Sequence, residues 1–298
     1  MIPRAPTAAA LALAGLAACS GAAGKLDRAN DLRHAGRPAD ALALYREVLG
    51  ELGEGRVPPG DAEARLRALK YAGDVSYLEL GDYQGAVAYY RRLIALYPGT
   101  ADAWQARAVI GDIFRDRFGD RIGAIAQWAE VAAGPSESAP HYQLKVAREY
   151  LELKNYEQAR TEARILRDRW PRRPEADEAQ LLAAQAWALE RRNDEALRAF
   201  QATLDRRPGA EIQARAREGM AHLYAQQGPG ERCGTRSCLD RAIELYAEAL
   251  PAHPNPEALR KNIEAVRRRQ KAAETVRPGD RAAALDHATA HPKERVIP

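Results

Sequence analysis

The chain repeats part of its own sequence at an offset of 38 residues. The segments GDVSYLELGDYQGAV and GDIFRDRFGDRIGAI, which begin at Gly73 and Gly111, share two Gly-Asp pairs and one Gly-Ala pair in register. A period of this length is typical of proteins in which one supersecondary unit is stacked on the next. A single unit cannot bury its own apolar face, so its neighbours in the stack supply the rest of the core. The sequence therefore predicts a repeat protein.

The composition indicates that the repeated unit is helical. The 298 residues are 46% hydrophobic, with alanine prominent, only 6% aromatic, and β-branched residues sparse, which argues against a β-sandwich or barrel. A charged fraction of 29% argues against a protein with many membrane spans. The net charge of +4 arises after residue 256, where ten bases face six acids. The remainder is neutral, so we expect no nucleic-acid partner.

A small residue followed four positions later by a large one marks the second helix in five of the six units. Residues i and i+4 share a helix face, so the small residue admits a neighbouring helix and the ring fills the space beside it. The alanines are Ala41, Ala86, Ala124, Ala159, Ala196 and Ala242, and the residues four positions later are Tyr45, Tyr90, Trp128, Ala163, Phe200 and Tyr246. Prolines at 98, 171, 208 and 254 end four of the units. The pattern predicts six helix pairs.

This pattern resembles the tetratricopeptide repeat. The resemblance implies an all-α fold, an α-solenoid of about six tetratricopeptide-type helix pairs with a C-terminal capping helix. We expect the array over residues 19–254, the capping helix over 255–274 and a disordered tail over 275–298. In such arrays the first helices line a concave wall that suits an extended peptide or a partner helix.

The amino terminus has the features of a bacterial lipoprotein signal peptide. Arg4 precedes an uncharged apolar run, Ala8 to Ala18, that is too short to span a membrane. The sequence Leu-Ala-Ala-Cys at 16–19 resembles a lipobox, which implies a signal peptide over residues 1–18 and a lipid anchor on Cys19. Ser20 favours the periplasmic face of the outer membrane. The alternatives are an inner-membrane lipoprotein, a secreted protein, or an alanine-rich N-terminus with an incidental cysteine.

The resemblance to tetratricopeptide repeats also assigns groove positions on the first helices. These positions would contact envelope proteins or extended peptides, and they are mixed in charge, without a cluster of Lys and Arg for a C-terminal carboxylate. The alternative for each is an ordinary solvated helix position. The groove positions are Val75, Glu79, Ile113, Arg117, Arg148, Glu152, Gln185, Leu189, His222 and Gln226.

An insertion in the sixth unit, residues 228–238, carries two cysteines. Cys233 and Cys238 enclose GTRS, and an exported protein meets an oxidising compartment, so we predict a local disulfide. A zinc site would need two more nearby ligands. The insertion is either a binding device or an ornament.

Chemistry-bearing motifs are absent from the sequence. It has no phosphate-binding glycine loop, nucleophile elbow or metal-binding helix of the two-histidine type. His287 and His291 are spaced i, i+4, but they fall in the predicted tail with one acid beside them. The sequence therefore predicts no enzyme activity, no metal and no cofactor.

These features together predict a lipid-anchored scaffold for protein–protein interaction in a bacterial envelope assembly. The sequence YPGT at residues 97–100 and the Gly-Asp turns resemble BamD-like components or adaptors of outer-membrane protein assembly. A repeat number near six is similar to secretin pilotin-like assembly factors. A self-associating structural spacer with no transient ligand is the third possibility.

Overall fold

The computed structural model describes residues 21–228 and 230–275. The chain divides into two compact units, residues 1–146 and 147–298. The predicted signal peptide, Cys19 and residues 276–298 lie outside the described residues. The domain boundaries assigned from the sequence therefore stay predictions at both ends.

Helices account for nearly all regular structure in the described residues. The α-helices are α1 Ala22–His34, α2 Pro38–Leu52, α3 Pro59–Asp74, α4 Tyr83–Leu96, α5 Ala101–Asp116, α6 Arg121–Ala133, α7 Ala139–Glu152, α8 Tyr156–Arg169, α9 Pro174–Leu189, α10 Asn193–Asp205, α11 Ala210–Ala225, α12 Cys238–Ala249 and α13 Pro256–Thr275. A π-helical turn, Val75–Glu79, extends α3, and a 3-10 turn, Leu250–Ala252, follows α12. A two-stranded antiparallel hairpin, β1 Arg232–Cys233 and β2 Arg236–Ser237, precedes α12.

The helices pair in chain order into six repeats, α1–α2 through α11–α12, and α13 follows as a cap. In unit 1 each helix from α1 to α6 packs on the next, and in unit 2 each helix from α8 to α13 does so. All six predicted core alanines are fully buried. The prediction of an all-α, α-solenoid fold with six helix pairs and a C-terminal capping helix is confirmed.

The second Gly-Asp pair of the repeated motif forms the turn between the two helices of a repeat. Gly81 and Gly119 both have φ of 67°, a left-handed conformation that glycine adopts at low cost. Asp82 and Asp120 then cap α4 and α6, since each carboxylate accepts the backbone amide three residues later, at 2.9 and 2.8 Å. The motif thus ends one helix and starts the next within two residues.

The first Gly-Asp pair of the motif fits the large residue of the same repeat. A Cβ atom at Gly73 would lie 2.6 Å from the Tyr90 ring, and one at Gly111 would overlap Trp128. Glycine is therefore required where these rings cross the first helix. The Tyr90 hydroxyl also donates a hydrogen bond of 2.7 Å to Asp74, the second residue of the motif. The repeated dipeptide at 73 and 111 is thus explained by packing.

The described structure differs from the sequence-based expectations in one connection and at the end of the C-terminal helix. The connection expected over residues 50–61 is shorter, because α2 runs to Leu52 and α3 begins at Pro59. Proline suits the first turn of a helix, where its missing amide hydrogen has no partner to lose. The C-terminal cap extends to Thr275, the first residue assigned to the tail, and buries Leu259, Ile263 and Val266.

Candidate functional site

A cleft in unit 2 lies between α9 and α11, the first helices of repeats 5 and 6. Its volume is about 350 Å³, in the range of small ligand pockets. Four residues that the tetratricopeptide resemblance assigns to a groove line it together: Gln185 and Leu189 from α9, His222 from α11, and Gln226 directly after α11. We call it the α9–α11 cleft.

The floor of the α9–α11 cleft is apolar. Phe200 of α10, Ala188 and Leu223 line it, and Phe200 is only 1% exposed. A Cβ at Gly219 would overlap the Phe200 ring, so glycine lets the ring lie directly against α11. Leu189, in contrast, is 55% exposed at the edge of the cleft. A large apolar side chain exposed beside an apolar floor can contact a partner.

Neighbouring helices hold the polar residues of the cleft in place. The Glu218 carboxylate lies 2.9 Å from the Nε2 atom of His253. His253 follows α12, and its side chain is almost completely buried. The His222 ring meets the Tyr246 ring edge to face at 5.5 Å, and its Nε2 atom is 3.5 Å from the Asn262 amide nitrogen of α13. Burial raises the pKa of Tyr246, so that ring stays neutral. The α11 wall is therefore preorganised by α12 and α13.

The four predicted groove positions of unit 1 differ in exposure: Val75 and Ile113 are buried, whereas Glu79 and Arg117 are exposed. Val75 and Ile113 are fully buried, because the face of the first helix that they occupy is turned into the core of its own unit. These two side chains pack in the core and cannot contact a ligand, which corrects their assignment to the groove. Glu79 accepts a hydrogen bond of 2.6 Å from Arg33, and the guanidinium of Arg117 lies 5.0 Å from the centre of the Tyr83 ring.

The two predicted positions of α7 do not line the α9–α11 cleft. Arg148 forms an ion pair with Glu178 of α9, and Glu152 is exposed. Leu151, which lies between them, does line the cleft. Arg148 thus links two helices of unit 2 and is already engaged.

Sequence reasoning missed several residues of the cleft. The repeat pattern gives no groove role to Arg215, Glu218 or Gly219, and it places Phe200 in the core alone. Helical spacing points to Arg215 and Gly219, because positions 215, 219 and 222 follow i, i+4 and i+7 on one face of α11. Position 226, at i+11, continues that face directly after the helix. No comparable signal points to Phe200, because it reaches the cleft from the second helix of repeat 5.

The insertion of repeat 6 forms a small closed hairpin. Cys233 and Cys238 are joined by a disulfide with a Cα–Cα distance of 4.9 Å. Cys238 starts α12 and is 1% exposed, and the Ser237 hydroxyl caps that helix by accepting the Asp240 amide at 3.1 Å. The covalent link and the cap together fix the hairpin to the second helix of repeat 6.

Within residues 21–228 and 230–275, no three His, Cys, Asp or Glu side chains are grouped so that they could hold a metal ion. His287 and His291 lie outside that part of the chain. None of the helices that the structure describes combines the length and the apolar character needed to cross a membrane.

Two segments of the chain match family models for the tetratricopeptide repeat, residues 66–110 and 144–211. They correspond to most of repeat 2 with the start of repeat 3, and to repeats 4 and 5. No curated protein matches the chain. These two segments are similar to tetratricopeptide repeats, and the described helices form a solenoid of helix pairs.

Solved structures of repeat proteins resemble the chain at low identity. A tetratricopeptide repeat protein from Parabacteroides merdae is 15% identical, with 82% of this chain and 84% of that chain covered and a TM-score of 0.40. YrrB, a tetratricopeptide-repeat protein with an unusual peptide-binding site, is 18% identical over 70% and 96%, with a TM-score of 0.43. PilW, a type IV pilus biogenesis factor, is 14% identical over 80% and 97%, with a TM-score of 0.42.

Proposed function

We propose that the protein is a lipid-anchored scaffold of the bacterial envelope that binds an extended segment of a partner protein in the α9–α11 cleft. One observation carries the proposal: four residues assigned to a groove from the repeat pattern lie together around one apolar floor. The tetratricopeptide-repeat fold suits protein–protein interaction, because its first helices present neighbouring faces to a partner.

The side chains of the cleft match the chemistry of a peptide. Gln185 and Gln226 each carry an amide that can both donate and accept hydrogen bonds, as a peptide backbone requires. Leu189 and the Phe200 floor offer an apolar contact for a side chain of the partner. A volume of about 350 Å³ holds one or two side chains, so the partner contributes a short anchor there.

The pathway we propose is outer-membrane protein assembly, with the protein in a BamD-like role as component or adaptor. A secretin pilotin-like role is the alternative pathway. Both rest on the sequence resemblance at residues 16–19 and 97–100 and on the repeat number. In either case the lipid on Cys19 would hold the array at the periplasmic face of the outer membrane.

Self-association is a second candidate function, favoured by exposed apolar side chains in unit 1. Leu78 and Leu80 are 67% and 40% exposed in the turn after α3, and Phe118 and Ile122 are 44% and 63% exposed around the turn after α5. These four side chains occupy the corresponding turn in repeats 2 and 3. They would offer a contact surface between copies without using the α9–α11 cleft.

Affinity capture from detergent-solubilised membranes tests the scaffold. The wild-type protein should retain a distinct envelope protein, and Leu189→Asp should lose it, because a carboxylate would be buried against the apolar floor. Leu153→Asp is the matched control, since Leu153 is an exposed leucine of unit 2 that does not line the cleft. Equal capture by both variants would contradict the role of the cleft. Capture of the protein's own copies alone would support the spacer.

The anchor has its own test. Cys19→Ala should move the protein from the membrane fraction to the soluble fraction, because the acyl chains would supply the membrane affinity. An unchanged distribution would contradict the lipoprotein assignment and would leave the test of the cleft unaffected.

A further inference from the structure

A second cleft in unit 2 is lined by four arginines and by two glutamates, Glu157 and Glu190. Arg160, Arg164 and Arg167 reach it from α8, and Arg192 reaches it from the start of repeat 5's second helix. Its volume is about 620 Å³. None of the groove positions assigned from the sequence lies in this arginine cleft, so it is distinct from the α9–α11 cleft.

The three arginines of α8 form a stripe. Positions 160, 164 and 167 are spaced i, i+4 and i+7, so they share one face of the helix. At a rise of 1.5 Å per residue, the stripe is roughly 10 Å long. Its positive charge is therefore spread along a line.

Trp187 orients two of the guanidinium groups. The Arg160 guanidinium carbon is 3.6 Å from the centre of the Trp187 ring, and that of Arg192 is 4.6 Å from it. Contact with an aromatic ring restricts the guanidinium plane and leaves its N–H edge able to bind carboxylates. The two groups are therefore held in place before a ligand arrives.

Three arginines of the cleft have an acidic neighbour. Arg160 donates to Glu190 at 2.8 Å through Nη1 and Arg164 to Asp168 at 3.2 Å through Nη1. Arg192 donates to Glu195 through Nη2. Each ion pair engages one nitrogen of a group that carries five N–H donors. These arginines retain donors for a further acceptor.

Arg167 is different, because its side chain makes no hydrogen bond or ion pair among the residues that the structure describes. It is half-buried, and burial lowers the pKa of its guanidinium, which the neighbouring cations Arg206 and Arg164 lower further. The Asp168 carboxylate raises the pKa of Arg167, but it forms its ion pair with Arg164. An anion beside Arg167 would offset the cost of this partly desolvated charge.

We propose that the arginine cleft binds an acidic peptide segment of a partner protein, with two or three carboxylates placed along the stripe of α8. The length of the stripe favours a peptide over a single compact anion. In an extended peptide, alternate side chains project from the same face, and they lie roughly 7 Å apart. Two such acidic residues fit within the roughly 10 Å stripe of Arg160, Arg164 and Arg167, and three would span roughly 14 Å and reach somewhat beyond its ends.

Fluorescence anisotropy with the full chain tests this proposal. The probe is a fluorescein-labelled peptide of alternating glutamate and alanine, and the same peptide with lysine in place of glutamate is the negative probe. The acidic peptide should bind, and Arg167→Gln should weaken that binding about tenfold, the size expected for one charge-assisted hydrogen bond. Arg198→Gln is the matched control, because Arg198 is an exposed arginine of α10 outside the cleft.

Three results would overturn the proposal. They are no binding of the acidic peptide at millimolar concentration, equal weakening by Arg167→Gln and Arg198→Gln, and displacement of the peptide by an equal concentration of pyrophosphate. The last result would show that the site selects a compact phosphate. Thermal unfolding of Arg167→Gln is the control that the variant is folded. We expect no loss of stability, because the variant removes a half-buried charge that forms no ion pair with any residue the structure describes.

Discussion

Repeats 2 and 3 in unit 1 and repeats 5 and 6 in unit 2 use the same repeat positions in different ways. Val75 and Ile113 occupy groove positions of unit 1 and are fully buried. The groove positions of repeats 5 and 6 open instead into a cleft of about 350 Å³. The repeat pattern therefore specifies which helix a residue belongs to, while local packing decides whether that residue is accessible.

The rings of the second helices explain part of this difference. In unit 1, Trp128 packs on Gly111 of its own repeat, and the Lys145 ammonium lies 4.0 Å from the centre of the Trp128 ring. In unit 2, Phe200 packs on Gly219, which belongs to the following repeat. Phe200 therefore lies in the floor of the cleft between repeats 5 and 6, whereas Trp128 covers a glycine of its own repeat.

The largest effect is expected in unit 1, from Trp128→Ala. Trp128 is fully buried, so its removal should lower the free energy of unfolding by about 3–5 kcal/mol. Urea unfolding followed by circular dichroism measures this loss. Leu78→Ala, at a 67% exposed position, should change it by less than about 0.5 kcal/mol. Similar values for the two variants would show that Trp128 does not hold unit 1 together.

A matched pair of glycine substitutions separates packing from binding. Gly111→Ala and Gly219→Ala each place a Cβ against a ring, and such overpacking costs about 1–3 kcal/mol. Only Gly219→Ala also changes the α9–α11 cleft, so only that variant should reduce partner capture. Urea unfolding and affinity capture on the same samples give both quantities. Equal loss of partner in the two variants would mean that capture follows general stability.

The smallest effect is expected from Arg148→Glu, which reverses a groove position assigned from the sequence. The change places two carboxylates together at Arg148 and Glu178, both partly exposed, so the loss of stability should stay below about 1 kcal/mol. The double variant with Glu178→Arg should restore it, as thermal unfolding can measure. Arg148→Glu could also lose the partner. If the double variant then regains it, Arg148 acts by pairing the two helices and not by contacting the partner.

The fold was predictable because its signals are local. The core alanines identify the six second helices, and rings four residues later reinforce five of them. The Gly-Asp turns define helix ends through the φ of Gly81 and the cap formed by Asp82. These features depend on neighbours within one repeat. Six helix pairs and a cap could therefore be derived without any long-range information.

The candidate site was only partly predictable because it depends on contacts between repeats. The repeat positions predict Gln185 and His222, but Phe200 enters the cleft from a second helix, where the repeat pattern predicts only core residues. The arginine cleft was missed for a similar reason. The stripe of α8 is visible in the sequence. Its packing beside Trp187, and the lack of an ion pair for Arg167 within the described part of the chain, are visible only in three dimensions.

Site-specific photo-crosslinking in intact cells tests the central claim most directly. A photoreactive amino acid at position 189 should crosslink an envelope protein, because Leu189 stands at the open edge of the cleft. The same group at position 153, exposed in unit 2, and at position 79, engaged with Arg33 in unit 1, should give no such product. A crosslink to the same partner from position 79 or 153, with none from position 189, would contradict the account.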